Sequence, residues 1–345
     1  MTPDSPTHSV CRFAADCRRR LVASTLACAT LVSALMLALP SSAQAAFPEK
    51  PISLVVPYPP GGAADILGRI VARHLALQWP GASVIVENRA GGGSAVGAQH
   101  VAQAAPDGYT LLISSNTTWT MNPALKLRPP YDPIKSFESI GIIGSIPLVL
   151  IANTTQPAAT AQDVIRMAKA QPGKLSYASF GTGTSSHFAG ELFKSVAGVD
   201  LLHVPYKGSA QIMQDLIGGQ IPLAFDTNVA TAPQKAAGRI RALAVTSARR
   251  VPNLPDVPTM AEIGLEGFEL TAWIAVVVPR GTATPAREAL TRALAAAVAT
   301  PAMREDLGKA GLMVEPEPPA AYETRVNREL PLMRALVRRA GITVD

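Results

Sequence analysis

Between the β-like run Leu175–Ser179 and a helix-period pattern marked by Phe188, Leu192, Phe193 and Val196 lie Gly181-Thr182-Gly183-Thr184-Ser185-Ser186-His187. Hydroxyls, glycine amides and an imidazole at one helix start allow two chemistries. A serine beside a histidine could be a nucleophile and its base. The G-x-S-x-G pattern is absent, however, and a triad must meet in space rather than in sequence. The other chemistry is anion binding. The first N–H groups of a helix lack intrahelical partners, and the peptide dipoles sum there to a partial positive charge. Ordinary N-capping would use the same residues, with His187 as a cap or wall.

The device recurs. After the apolar run Ile52–Val56 come Pro59-Pro60-Gly61-Gly62-Ala63-Ala64-Asp65. Glycines here let backbone approach a ligand closely, and the prolines fix the chain's entry without donating. The same stretch also fits a plain strand-to-helix turn. Asp65 reads as a cap or first-turn acid; if it faced the cup it would orient a water or a ligand amine. Ser115, Asn116 and Thr117 follow the run ending at Ile113, and Asp226 and Thr227 follow the one ending at Phe225. Tyr206-Lys207-Gly208-Ser209 precedes another helix and holds the one cation near these loops.

Other chemistries fit poorly. No Gly-Lys-Ser/Thr is present, and Val96 stands where a dinucleotide fingerprint after Gly91 and Gly93 needs a small residue. His74, His100, His187 and His203 show no metal-ligand spacing, so neither metal nor cofactor is expected. The formal net charge is +6, and +4 after residue 45, where 27 basic and 23 acidic residues remain. These are scattered, with no block of five or six basics and no aromatic interleaving, which argues against nucleic-acid binding. Arg18-Arg19-Arg20, the apolar run Leu21–Leu39 and the small residues Ala43 and Ala45 have the order of a cleavable secretory signal over residues 1–45. Cys11, Cys17 and Cys28 all fall within it, so the exported product would carry no disulfide or thiol.

Placing these loops requires alternating short strands and helices. Ile52–Val56, Val84–Val86, Tyr109–Ser114, Leu175–Ser179 and Ile221–Phe225 read as strands. Helices are expected near 65–78, with Ile66, Leu67, Ile70, Val71 and Leu75 on one face, and near 161–170, 285–297 and 322–338. This is an α/β pattern of mostly parallel sheets flanked by helices, in a chain of 345 residues, long enough for two lobes. The apolar segments Ile146–Ala152 and Glu269–Val278 are the expected crossover strands. They would make lobe I discontinuous, 46–147 with 274–345, around lobe II at 148–273.

The ordered motifs VPYPPGGAAD (56–65), VENRAGGG (86–93), APDGYTLL (105–112), GTSSHFAGELF (183–193), HVPYKG (203–208), GGQIPLAFD (218–226), RALAVTS (241–247) and LPDVPT (254–259) span essentially all of the chain after residue 45. Together they closely resemble the periplasmic solute receptors of tripartite tricarboxylate transporters, the Bug receptors. The resemblance implies a two-lobe, type II-like periplasmic binding fold, not an enzyme. Such a protein, a monomer in the periplasm, closes on a small carboxylate and delivers it to membrane permease subunits. It also implies that Tyr58 to Asp65, including Pro60, Gly61 and Gly62, and Ser179 to His187, including Gly181, Gly183, Thr184 and Ser185, grip a carboxylate. Departures from the family pattern at Tyr58, Phe180, Thr182 and Ser186 bear on the ligand's identity more than on that grip. The alternatives are an exported sensor signalling to a membrane kinase and a secreted hydrolase or lyase using His187 or Asp226.

Overall fold

The computed structural model describes residues 47–126 and 129–342; the signal-peptide expectation and the cysteines lie outside them. Nine strands form one continuous mixed sheet in the order β2-β1-β3-β9-β4-β7-β5-β6, with β8 also on β4. In the first half, β1 (Ile52–Val56) lies parallel between β2 (Val84–Asn88) and β3 (Thr110–Ser115). In the second, β5 (Ser176–Ser179) lies parallel between β6 (Leu202–Pro205) and β7 (Leu223–Thr227). The expected parallel, helix-flanked sheets are these two trios.

What joins them is antiparallel. β4 (Phe137–Asn153) pairs through Phe137–Pro147 with β9 (Thr271–Pro279), then through Leu148–Asn153 with β7 and β8 (Ile240–Val245). The expected crossovers are therefore present, and β4 begins well before Ile146. Gly141 and Gly144 interrupt the apolar run and form irregularities in the β4–β9 register. At Gly144, with φ +147°, an added Cβ would lie 2.1 Å from the Met313 carbonyl oxygen, so only glycine lets the chain at 313 pair with Ser145.

The helices are α1 (Ala63–Ala76), α2 (Ala95–Ala102), α3 (Asn122–Leu125, entered by a π-helical turn at Thr117–Met121) and α4 (Ala161–Ala170). They continue with α5 (Ser185–Ala197), α6 (Ser209–Ile217), α7 (Asn228–Ala236), α8 (Thr284–Ala299), α9 (Pro301–Lys309) and α10 (Ala320–Ala340). On α1 the buried stripe is Leu67, Val71 and Leu75, whereas Ile66, expected on the same face, is exposed. As the residue next to Leu67 it is rotated about 100° from the stripe and points away from the sheet. Helix α10 belongs to both halves. Tyr322 and Val326 pack with Trp119 and Phe137 of the first, and Leu336 packs with Phe188 and Phe268 of the second. Pro331 lies between these contacts, where it removes an internal hydrogen bond from the helix.

Candidate functional site

Three helix starts converge where the two trios of strands end. The first is α1. Its N-cap, Gly62, offers no side-chain cap, so the first-turn amides have no partner within the helix. Asp65, third in the helix, turns away from that opening. It accepts from Gly61 N at 3.0 Å, from Asn88 Nδ2 at 3.0 Å and from Arg69 at 3.0 Å. Asn88 also donates to the Tyr58 carbonyl at 3.1 Å, so one network ties the whole Pro-Pro-Gly-Gly loop to β2. Burial pushes the Asp65 carboxyl up, but Arg69, the Gly61 amide and Asn88 together hold it below its usual range.

The second start is α5. Thr184 caps it, accepting from His187 N, and also donates to the Gly181 carbonyl at 2.6 Å. His187, again third in its helix, accepts from Gly183 N through Nδ1 at 3.2 Å, which leaves the proton on Nε2. Its ring stacks on His203 with centroids 4.0 Å apart, and His203 stacks in turn on Tyr177. Ser179 meets His203 Nε2 at 2.6 Å, and the Tyr177 hydroxyl donates to Glu191 at 2.8 Å. Gly190 lets this stack fit, since a Cβ there would fall 2.1 Å from the Tyr177 ring. Burial, with Lys194 nearby, pushes His187 down to about 4; burial and His187 push His203 down to about 3. Both imidazoles are neutral at pH 7.

The Ser186 hydroxyl donates to the Phe225 carbonyl at 2.5 Å, and among the described residues neither Ser185 nor Ser186 bonds His187. Ser185 N instead donates across the cleft to Thr117 Oγ1 at 2.9 Å. The start of α5 is thus largely satisfied from within the protein. Asn116 donates to the Thr271 carbonyl at 3.2 Å and helps fix the same turn.

The third start is α6, whose N-cap Gly208 also offers no side-chain cap. It abuts the first: a Cβ on Gly208 would lie 3.3 Å from the Pro59 ring, and one on Gly62 4.0 Å from Ser209 Cβ. Ser209 donates to both Asp226 oxygens at 2.8 and 2.7 Å, and Thr227 N donates to one at 2.7 Å. Asp226 is fully buried. Burial pushes its carboxyl up to about 6, against the pull of these donors. Tyr206 donates to Asp215 at 2.8 Å, and burial pushes its phenol up to about 12.

These starts enclose a cavity of about 380 Å³. Of the residues expected at the site, Tyr58, Pro60, Gly62, Ser115, Ser185 and Thr227 line it. Gly181 and Tyr206 line an adjoining cavity of about 670 Å³, which shares Tyr58, Pro59, Phe180 and Lys207 with the first. Gly61, Asp65, Asn116, Thr117, Ser179, Gly183, Thr184, His187 and Asp226 line neither; Gly61 is exposed, and the other eight are buried behind the walls. The Tyr58 hydroxyl is buried near the hydroxyls of Ser94, Ser115 and Thr117 without a well-formed hydrogen bond to any of them. Sequence reasoning missed the floor, Leu67, Ile113, Ile146, Ala272 and Ile274, and Gln211, while Ser114 and Ser209 lie in segments it singled out without assigning these two residues to the site. The floor residues carry only an ordinary core pattern. Ser209 stands just where the Tyr206–Gly208 loop runs into its helix, which was the available signal.

Two trios of parallel strands joined through antiparallel β4 and β9, with helix starts around a shared cavity, make a two-lobe, type II-like periplasmic binding fold. The model of the tripartite tricarboxylate transporter family receptor, TctC, matches residues 67–336, and the chain belongs to that family. It is 40% identical over 268 residues to a UPF0065 protein from the tcbD-tcbE intergenic region of Pseudomonas sp. strain P51, covering 77% of this chain and 79% of that one. The periplasmic binding protein BugD superposes with a TM-score of 0.81 at 36% identity, over 86% of this chain and 99% of its own. R. palustris Rpa4515, solved with adipate, gives a TM-score of 0.83 at 33% identity, over 86% and 99%. Among the described residues no helix is long and apolar enough to cross a membrane, and no cluster of His, Cys, Asp or Glu could hold a metal.

Proposed function

We propose that this chain is an exported periplasmic receptor, not an enzyme, that captures a small carboxylate and hands it to the membrane permease subunits of a tripartite tricarboxylate transporter. The observation that carries the reading is that the uncapped starts of α1 and α6 open onto one cavity. Ser115, Ser185 and Thr227 add hydroxyls to the same wall, whereas the Ser209 proton is directed to Asp226. Membership in a receptor family and an adipate-bound relative of the same fold support it. In this reading residues 1–45 are a cleaved signal, the working form is a monomer, and residues 46–147 with 274–345 close against 148–273 about β4 and β9. Helix α10, packed on both halves, would limit how far they part.

Such a grip suffices without a catalytic group. Charge-assisted hydrogen bonds contribute about 1.5–3 kcal/mol each, so four or five offer roughly 6–15 kcal/mol before ordering costs. A micromolar dissociation constant requires about 8 kcal/mol. The test is thermal unfolding and small-angle scattering of the exported protein with a broad carboxylate panel and neutral sugars. At least one carboxylate, and no sugar, raises the melting temperature and reduces the radius of gyration. Silence across the whole panel contradicts the proposal.

A further inference from the structure

The cavity wall divides by chemistry. At one side stand the amides of the α1 and α6 starts with the serine and threonine hydroxyls. Its floor is hydrocarbon. Leu67, Ile113, Ile146, Ala272 and Ile274 come from α1, β3, β4 and β9 and belong to one apolar cluster, and each is almost wholly hidden from solvent. They are neighbours by register as well: Ile274 lies opposite Ser115 on β3, and Ala272 opposite Ile146 on β4. Phe180 stands on the wall common to this cavity and the larger one beside it.

Charge is sparse. Among the described wall residues only Lys207 carries one, and it is exposed. The buried acids Asp226 and Asp65 are both off the wall: Asp226 sits behind Ser209 and Thr227, and Asp65 is tied up by Gly61, Asn88 and Arg69. A single carboxylate can be met by the helix starts. A second or third one would be stripped of water against the aliphatic floor, which carries no cation. At about 380 Å³ the cavity is at the small end of the roughly 300–1,000 Å³ typical of ligand sites, so its occupant is compact.

We infer that the ligand is a monocarboxylate with an apolar body, aliphatic or aryl, rather than a polycarboxylate. Its carboxylate meets the α1 and α6 amides while its hydrocarbon covers Leu67, Ile113, Ile146 and Ile274. Phe180, with Tyr58, Pro59 and Lys207, forms the wall shared with the adjoining cavity, and no floor residue lies on that wall. This rests on the receptor reading above and deepens it.

The test is calorimetric titration of the exported protein with butanoate, pentanoate, hexanoate and phenylacetate, beside citrate, malate and the neutral isostere hexanamide. Affinity rises about fourfold per added methylene until the floor is covered, the fold-change expected for burying one CH₂. Citrate and hexanamide each bind at least tenfold more weakly than hexanoate. In Ile146→Ser, which places a hydroxyl in the aliphatic floor, the chain-length slope flattens and hexanoate loses most of its advantage over butanoate. A flat series with citrate or malate binding tightest overturns the inference and leaves the receptor reading standing. Hexanamide binding as well as hexanoate overturns the inferred placement of the carboxylate. Failure of every carboxylate, citrate included, overturns the receptor reading itself.

Discussion

Asp65 and His187 occupy the same place in two different loops. Each is the third residue of its helix, and each reaches back to the amide of the glycine four positions earlier, Gly61 in one case and Gly183 in the other. The surroundings differ sharply. Asp65 works as an anion, held by an exposed guanidinium and a neighbouring strand's amide. His187 works as a neutral acceptor, buried against a second neutral imidazole. What the loop requires is therefore an acceptor of the right reach, with charge optional. The two loops should consequently fail under different conditions.

The largest effect is expected from acid on the α5 side. Both histidines have folded-state values below that of the unfolded chain, so the unfolded state takes up protons first. Stability is full above about pH 6.5 and is lost as pH falls toward 4. For His187 alone the loss between pH 7 and 4.5 is on the order of 3 kcal/mol. Asp226 acts oppositely in an overlapping window. Raised to about 6, it takes up protons on folding, so its contribution declines as pH rises from about 4 to 6. The comparison is thus between variants at equal pH. In His203→Phe, which keeps a ring on His187, chemical denaturation shows a smaller loss of stability on acidification than in the parent protein. An identical loss in both would remove the stacked pair from the explanation.

The α1 loop gives the smaller effect, at lower pH. Asp65→Asn retains an acceptor for Gly61 but removes the charge that Arg69 and Asn88 meet, costing about 1–2 kcal/mol at pH 7. The Asp65 carboxyl is held below its usual range, so its contribution persists until pH drops below that range and then disappears. Denaturation midpoints of the variant and parent should therefore converge only in strong acid. Convergence already near pH 5 would show that the charged network does not hold this loop.

The contrast also separates what the sequence displays from what it hides. Helix α4 runs Ala161–Ala170 as expected, because its signals are local: Thr160 and Asp163 form a reciprocal capping box, and Gln171-Pro172-Gly173 ends it. The loops before α1 and α5 are legible for the same reason. β4 is legible only in its second part, since Gly141 and Gly144 look like loop residues until the bulges and the Met313 contact are seen. The cavity floor is not legible. Ile113, Ile146 and Ile274 alternate as any buried strand residue does, and only the packing of α1 and α6 leaves space above them. Which loop residues face that space is equally a tertiary matter. Thr227 lies on the wall while its neighbour Asp226 sits behind it.

The central claim is that two uncapped helix starts jointly hold the ligand's carboxylate, and it is tested most directly by amide NMR of the labelled protein during titration with hexanoate. The N–H resonances of Ala63 and Ala64 on α1 and of Ala210 and Gln211 on α6 should move together, to lower field, and saturate at one ligand per chain. Shifts confined to Gly91–Gly93 in the adjoining cavity, or to the surface groove lined by Glu138, Arg280 and Arg287, with both helix starts unmoved, would contradict it.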